Sequence, residues 1–204
     1  MARSGPKRGD ARRTDTRTAI VDATVVTLAG HGFSATSARA VAERAGVAPG
    51  GVFYHFGSMD NLLAEVFTIC LDRRIGRLRT AVDVPTPHLP AAFTQAVRAE
   101  FAHIESRALL ELVVGAIDSP VLATRVRAGL AESFAFTREV VEVLLTESPL
   151  AEALPLDLIA QVAASAFFGL AVMSLVGADI DIDGMTTLVN TLLGLVLPAS
   201  APDG

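Results

Sequence analysis

The sequence predicts an all-α protein, in which a three-helix N-terminal domain is followed by a larger helical bundle. Apolar residues recur at three- and four-residue spacing along most of the chain, which is the period of an amphipathic helix. Glycine and proline interrupt this pattern at intervals that bound the individual helices. Hydrophobic residues make up 51% of the 204 residues and charged residues 19%, a composition that favours a packed core over disorder.

The first predicted helix carries one stripe of apolar and threonine side chains, namely Ile20, Ala23, Thr24, Thr27 and Leu28. Gly30 and Gly32 end this helix. Thr36 or Ser37 can cap a second helix. Pro49 fits the first turn of a short third helix, where the missing N–H of proline costs nothing.

The second and third helices are predicted to form a helix-turn-helix within residues 36–56. Ala42 is small enough to let the two helices cross closely, and Gly46 tolerates the backbone conformation of the turn. Val41, Val47 and Val52 fall where apolar contacts fix the crossing angle. In such a motif the second helix presents its first residues to the major groove of DNA.

The rest of the chain is predicted to be a helical body. Ser58 caps a long helix that runs to about Ala81. Later helices are predicted at about 89–106, 108–117, 120–146, 156–177 and 184–197. The predicted domains are therefore a basic disordered arm over residues 1–12, the helix-turn-helix domain over 13–57, and the helical body over 58–200.

Charge is distributed unevenly along the chain, although the formal net charge is only −5. Residues 1–56 contain eight lysines and arginines against four acidic residues, whereas residues 57–204 contain nine against eighteen. A basic start on an acidic body predicts that only the N-terminal domain meets a polyanion. A solubilising tail is the alternative explanation of the basic arm.

The single cysteine, Cys70, excludes an internal disulfide framework and suits a reducing compartment. The first seventeen residues are polar and basic, without the apolar stretch of a signal peptide. We therefore expect a cytoplasmic protein.

One uncharged segment, residues 158–178, is long enough to span a membrane. Asp157 precedes it and Asp179 follows it, so no lysine or arginine anchors either end. A helix that is apolar all round is also what a subunit interface produces. The flanking charges favour an interface, and we expect no membrane association.

The N-terminal region resembles the DNA-binding region of the TetR family of bacterial repressors. The resemblance is carried by Gly-His-Gly-Phe-Ser-Ala-Thr-Ser over residues 30–37 and by Ala-Gly-Val-Ala-Pro-Gly-Gly-Val-Phe-Tyr-His-Phe-Gly-Ser over 45–58. It extends over about residues 16–67, and beyond them the body matches only in size and helicity.

This resemblance implies a transcriptional regulator, most simply a repressor, and not an enzyme. It implies a homodimer, paired through the last two helices, that binds a palindromic operator in double-stranded DNA. It also implies that the helical body is a ligand-binding and dimerisation domain, in which a small, largely apolar effector releases the DNA. No cofactor is expected.

The sequence departs from the family pattern at three positions that usually contact phosphate. Gly51 replaces a serine or threonine, Phe53 replaces a tyrosine, and Met59 replaces a lysine. Phosphate contacts supply most non-specific affinity for DNA. We expect the basic arm to compensate, with Arg8, Arg12 and Arg13 reaching phosphates or an adjacent minor groove.

The predicted DNA-binding residues lie at the start of the second helix and along the third: Thr36, Ser37, Arg39, Ala48, Pro49, Gly50, Gly51, Phe53, Tyr54 and His55. Thr36 and Arg39 are placed to hold phosphate, and Arg39 is the strongest single candidate. Tyr54 and His55 have polar tips that can reach bases or phosphate, although both residues also suit a structural role.

The predicted ligand-binding residues are aromatic and polar side chains of the body: Phe101, His103, Phe134, Arg138 and Phe168. The alternative is that these aromatic residues are plain core. His88 and His103 lack cysteine or carboxylate partners at metal-ligand spacing, so no metal site is expected.

Two other functions stay open. Convergent carboxylates could form an enzyme site, although the chain has no nucleophile elbow, zinc-protease motif or phosphate loop. The three departures also allow a dimeric helical protein with a degenerate DNA-binding motif, acting as a ligand-binding or interaction module.

Overall fold

The structure is a computed structural model that describes residues 8–85, 88–146, 148 and 153–196. Every regular element in these ranges is helical, which confirms the predicted all-α fold. The helices are α1 Arg8–His31, α2 Ala38–Ala45, α3 Pro49–Phe56, α4 Met59–Ala81, α5 Leu89–Glu100, α6 Ile104–Gly115, α7 Pro120–Leu145, α8 Leu156–Leu175 and α9 Ile182–Val196.

Two predicted boundaries are corrected by these helices. The predicted disordered arm over residues 1–12 overlaps α1, which already begins at Arg8, and residues 1–7 lie outside the described residues. The predicted helix over 89–106 is divided, because a turn at 101–103 separates α5 from α6. In that turn the N–H groups of Phe101 and His103 donate to carbonyls only three residues back, at 3.3 and 3.2 Å. No glycine or proline marks this break in the sequence.

Local sequence explains the boundaries of α2. The Ser37 side chain caps the helix by accepting a hydrogen bond from the Ala40 N–H at 3.3 Å. Gly46 ends it with a φ of 66°, a left-handed conformation that glycine adopts without steric cost. Val41 and Ala42 are fully buried, as the helix-turn-helix interpretation requires.

The chain forms two compact units, and their boundary differs from the predicted one at residue 57. The first unit consists of residues 1–70 and 107–126, and the second of residues 71–106 and 127–204. Within the first unit, Glu111 on α6 accepts a hydrogen bond from the Phe33 N–H at 2.8 Å. The prediction assigned 107–126 to the body by position in the chain, because this long-range contact leaves no local sequence signal.

The second unit has its own apolar core, formed by Leu78, Leu89, Phe136, Val140 and Leu144. Helix α8 in this unit is long and apolar enough to cross a membrane by length and composition alone. Only a small share of α8 is buried within the described chain.

Candidate functional site

Helix α3 presents one exposed face and buries the other. Val52 is fully buried and Phe56 is nearly so, and together they anchor the helix in the first unit. The exposed residues around its N-terminal half are Ala48, Pro49, Gly50, Phe53 and Tyr54, which we call the α3 face. Two of them are large aromatics, with Phe53 50% exposed and Tyr54 71% exposed. Two adjacent exposed aromatic side chains make this face a candidate contact surface.

Two arginines supply positive charge to the first unit beside this motif. Arg39, in the first turn of α2, is exposed and forms no ion pair or hydrogen bond with any residue that the structure describes. The guanidinium of Arg13 lies 5.6 Å from the centroid of the Tyr54 ring. The side chains of Arg8 and Arg12, the other predicted arm contacts, lie outside the described residues.

The hydroxyl groups of Thr36 and Ser37 are used differently. Thr36 Oγ1 donates to the Gly32 carbonyl at 2.8 Å, so its hydrogen is already engaged. Ser37 Oγ accepts from the Ala40 N–H, which leaves its own hydrogen available for a phosphate oxygen. Of these two predicted DNA-binding residues, Ser37 therefore has the freer donor.

Arg17 fastens α1 to the end of the recognition helix. Its guanidinium donates to the His55 carbonyl at 2.8 Å, contacts the Glu65 carboxylate, and lies 4.5 Å from the centroid of the Phe56 ring. The His55 ring is edge-on to Tyr54, with the ring centroids 5.1 Å apart. The sequence assigned Arg17 only to the basic start of the chain and therefore missed its structural contacts.

Arg44, an exposed residue of α2, forms contacts with α1. Its Nε donates to Thr27 Oγ1 at 3.1 Å, and Nη2 lies 3.3 Å from His31 Nε2. These contacts hold α2 against α1.

Gly51 has room for a side chain. A Cβ built there would lie 3.6 Å from Val47 Cγ2, which is an ordinary van der Waals contact. The backbone at Gly51 is helical, so steric constraints do not require glycine at this position.

The second unit contains an apolar cavity of about 250 Å³. Of the five predicted ligand-binding residues, Phe101 and Phe168 line it. His103 and Phe134 are not among the lining residues, and Arg138 instead pairs with Glu142 at 2.9 Å and Asp157 at 2.8 Å. The cavity thus brings together two of the predicted aromatics without the predicted polar groups.

A buried arginine, Arg74, lies at the cavity and was not among the predicted ligand-binding residues. Arg74 is only 9% exposed, and its guanidinium lies 4.0 Å from the centroid of the Phe167 ring. Burial lowers the pKa of Arg74 to about 10, so the side chain stays charged at neutral pH. A signal was present, because helical spacing places this arginine on the buried stripe of α4 with Phe67, Cys70, Leu71 and Leu78.

The neighbouring charges of the second unit are paired. Arg77 bonds both oxygens of Glu100 at 2.8 and 2.9 Å and also contacts Glu105, which Arg73 reaches at 3.0 Å. Burial by itself raises the pKa of Glu100, but the hydrogen bonds from Arg77 and Ser106 outweigh it and hold the pKa below its ordinary value. Glu100 is therefore a buried carboxylate whose charge is stabilised by this network.

Known proteins resemble the chain in both sequence and fold. A sequence model described as "Bacterial regulatory proteins, tetR family" matches residues 20–66. The HTH-type transcriptional repressor KstR2 of Mycolicibacterium smegmatis is 30% identical over 107 residues, which cover 52% of this chain and 50% of that protein. The chain thus spans about half the length of the curated relatives it matches.

Solved structures share the fold over nearly the full length. A transcriptional regulator from Pseudomonas aeruginosa PAO1 superposes with a TM-score of 0.73 at 21% identity, covering 92% of this chain and 93% of that one. A TetR transcription regulator from Haloarcula marismortui gives 0.74 at 15% identity, covering 91% and 100%. The family model covers the helix-turn-helix, so residues 20–66 are a DNA-binding region of the type found in the TetR family of bacterial regulatory proteins.

Proposed function

We propose that this regulator is a repressor whose homodimer binds a palindromic operator and is released by a small, largely apolar ligand. The observation that carries the proposal is the α3 face, an exposed aromatic surface on the second helix of a helix-turn-helix. KstR2, which matches about half of the chain, is named a repressor. We expect such a protein to act in the cytoplasm.

The surface chemistry of the first unit suits a DNA backbone. Ser37 offers a hydroxyl donor, and Arg39 offers a charge with no partner among the described residues. Tyr54 presents its phenol at the most exposed position of the α3 face. Few of these side chains can form a bidentate contact with a base, so we expect affinity to depend strongly on phosphates and on salt.

Helices α8 and α9 support the proposed dimer. Each exposes several large apolar side chains, including Leu158, Val162, Val172, Met173, Met185, Leu188, Val189 and Leu192. Pairing the two helices with a twofold copy would bury these side chains in a four-helix bundle. The same pairing would cover the apolar side chains that α8 leaves exposed.

The dimer is tested by changing one residue on this face. Leu188→Asp places a charge on α9 at a side chain that is 58% exposed, and we expect sedimentation to show a monomer. Ile117→Asp is the matched control, because Ile117 is an 82% exposed apolar residue of the first unit. A Leu188→Asp variant that stays dimeric would contradict the proposed seam.

DNA binding is tested with purified protein and the intergenic DNA upstream of its own gene, at two salt concentrations. We expect tight, salt-sensitive binding that Arg39→Ala weakens by about tenfold. Arg125→Ala is the control, because Arg125 is an exposed arginine on α7 outside the helix-turn-helix. An intact dimer that binds neither this DNA nor sequences from a random pool would favour the alternative, a ligand-binding module with a degenerate motif.

A further inference from the structure

We propose that the cavity of the second unit takes an apolar monocarboxylate, and that Arg74 binds its carboxylate group. The inference rests on the proposed function, because it assigns a chemical class to the effector of that same cavity. Its basis is a charged side chain, nine-tenths buried in an apolar cavity, that forms no ion pair or hydrogen bond with the described residues.

The carboxylates around Arg74 form their direct ion pairs with other arginines. The two buried or half-buried carboxylates nearby, Glu100 and Glu105, are bonded to Arg77 and Arg73. Arg74 itself forms no ion pair or hydrogen bond with the residues that the structure describes, and its contacts are with the rings of Phe167 and Phe168. The charge of Glu100 acts on Arg74 from a distance, but burial outweighs it and lowers the pKa of Arg74. An anion that bonds Arg74 directly would therefore offset part of the cost of burying this cation.

The geometry of Arg74 leaves its donors usable. Its guanidinium carbon lies 4.0 Å from the centroid of Phe167 and 5.8 Å from that of Phe168. Arginine stacks on aromatic rings while its N–H groups lie in the guanidinium plane, where they match the two oxygens of a carboxylate. A planar bidentate head group therefore fits Arg74 better than a single hydroxyl.

The other polar side chains of the cavity are already engaged. Thr94, Ser133 and Thr137 each donate their hydroxyl hydrogen to a carbonyl four residues earlier, at 2.7 to 2.9 Å. Arg98 pairs with Asp183 and is largely exposed. Among the described lining residues, Arg74 is thus the buried donor left to recognise a ligand.

The apolar walls and the volume of the cavity determine which hydrocarbon chain the ligand can carry. Phe93, Val97, Phe101 and Phe136 supply apolar walls. Its volume of about 250 Å³ is small. Ligand pockets usually range from about 300 to 1,000 Å³. A short or medium-length acyl chain fits these walls, and a neutral molecule of the same length would leave Arg74 unpaired.

The test uses two probes that differ only in the head group, decanoate and decan-1-ol, titrated into the full-length protein by calorimetry. We expect decanoate to bind at least tenfold more tightly than the alcohol. Arg74→Met keeps much of the side-chain volume and should remove this preference while leaving decanol affinity nearly unchanged. Arg125→Met is the control, because Arg125 is an exposed arginine that does not line the cavity, and it should leave the preference intact.

Three results would overturn the inference. They are equal affinity for the two probes, no binding of either probe, or an equal loss of affinity for both probes in Arg74→Met. If Arg74→Met does not fold, Arg74→Lys keeps the charge without the planar fork and should reduce the preference. Operator binding is measured in parallel. If decanoate binds through Arg74 but does not release DNA, only the effector role is refuted. If a ligand releases DNA and binds equally well to the Arg74→Met variant, only the inference about Arg74 is refuted.

Discussion

The ring of Phe33 packs against the backbone of Gly115, so closely that a Cβ added at Gly115 would lie 2.1 Å from Phe33 Cε2. The Phe33 N–H donates to the Glu111 carboxylate one turn earlier on α6. Together these contacts join the loop before α2 to α6 within the first unit. They make residues 107–126 part of the unit that carries the helix-turn-helix.

This contact predicts that Gly115→Ala destabilises the protein by about 1–3 kcal/mol, since the Phe33 ring must move to admit a methyl group. Gly76→Ala is the control, because a Cβ there meets nothing within 4 Å and the residue lies inside α4. That change should stabilise the protein by about 0.5–1 kcal/mol. Urea unfolding measures both, and equal effects would contradict the close approach at Gly115.

A second prediction concerns the missing phosphate contact at position 51. Gly51→Ser adds a hydroxyl where the structure leaves room beside Val47, and we expect operator affinity to rise several-fold, by about 1 kcal/mol. Gly76→Ser, in α4, should leave DNA binding unchanged. Fluorescence anisotropy with a labelled operator makes the comparison, and an unchanged or lower affinity for Gly51→Ser would rule out a phosphate near this residue.

The third prediction tests the basic arm without shortening α1. Replacing Arg8, Arg12 and Arg13 by glutamine should weaken operator binding and reduce the slope of log affinity against log salt by about 2 to 3, since each phosphate contact contributes about 0.9. Replacing the exposed residues Arg107 and Arg125 in the same way is the control. A salt slope that the arm variant leaves unchanged would show that these arginines do not contact DNA.

The fourth prediction follows from the lowered pKa of Glu100. A carboxyl whose folded-state pKa lies below its unfolded value of about 4.5 contributes stability above that value and loses it as pH falls through the folded pKa. Glu100→Gln should therefore cost about 2 kcal/mol of unfolding free energy at pH 7. The cost should shrink when the pH is lowered below about 4.5.

Urea unfolding at pH 7 and pH 4 checks this dependence. Glu139→Gln is the control, because Glu139 forms an exposed ion pair with Arg79 and should matter little at either pH. A Glu100→Gln penalty that stays constant with pH would show that the ionised carboxylate is not what stabilises the second unit.

Sequence alone predicted those parts of the fold that depend on local chemistry. Ser37 and Gly46 bound α2 because a cap and a left-handed turn are properties of single residues. The division of the chain could not be predicted, because the Glu111–Phe33 hydrogen bond joins residues 78 apart in the sequence. The break after Glu100 was missed because its tight turn contains neither glycine nor proline.

The candidate sites, like the fold, could be predicted only where they depend on local sequence. The residue spacing of the helix-turn-helix defines which positions are buried. Phe53 and Tyr54 fall outside those positions and are exposed. The cavity depends on which helices pack together. Of the predicted ligand-binding residues, Phe101 and Phe168 line it, whereas His103 and Arg138 do not. Arg74 was missed because arginine is ordinarily exposed, although helical spacing places it on the buried stripe of α4.

The central claim, that the α3 face binds a palindromic operator as a dimer, is tested most directly by selecting DNA from a random pool with the purified protein. We predict a twofold-symmetric consensus whose half-sites lie one helical turn or a multiple apart, and we predict that Tyr54→Ala weakens its binding. Two results would contradict the account. One is a set of selected sequences without twofold symmetry, and the other is operator binding that substitutions on the α3 face leave unchanged.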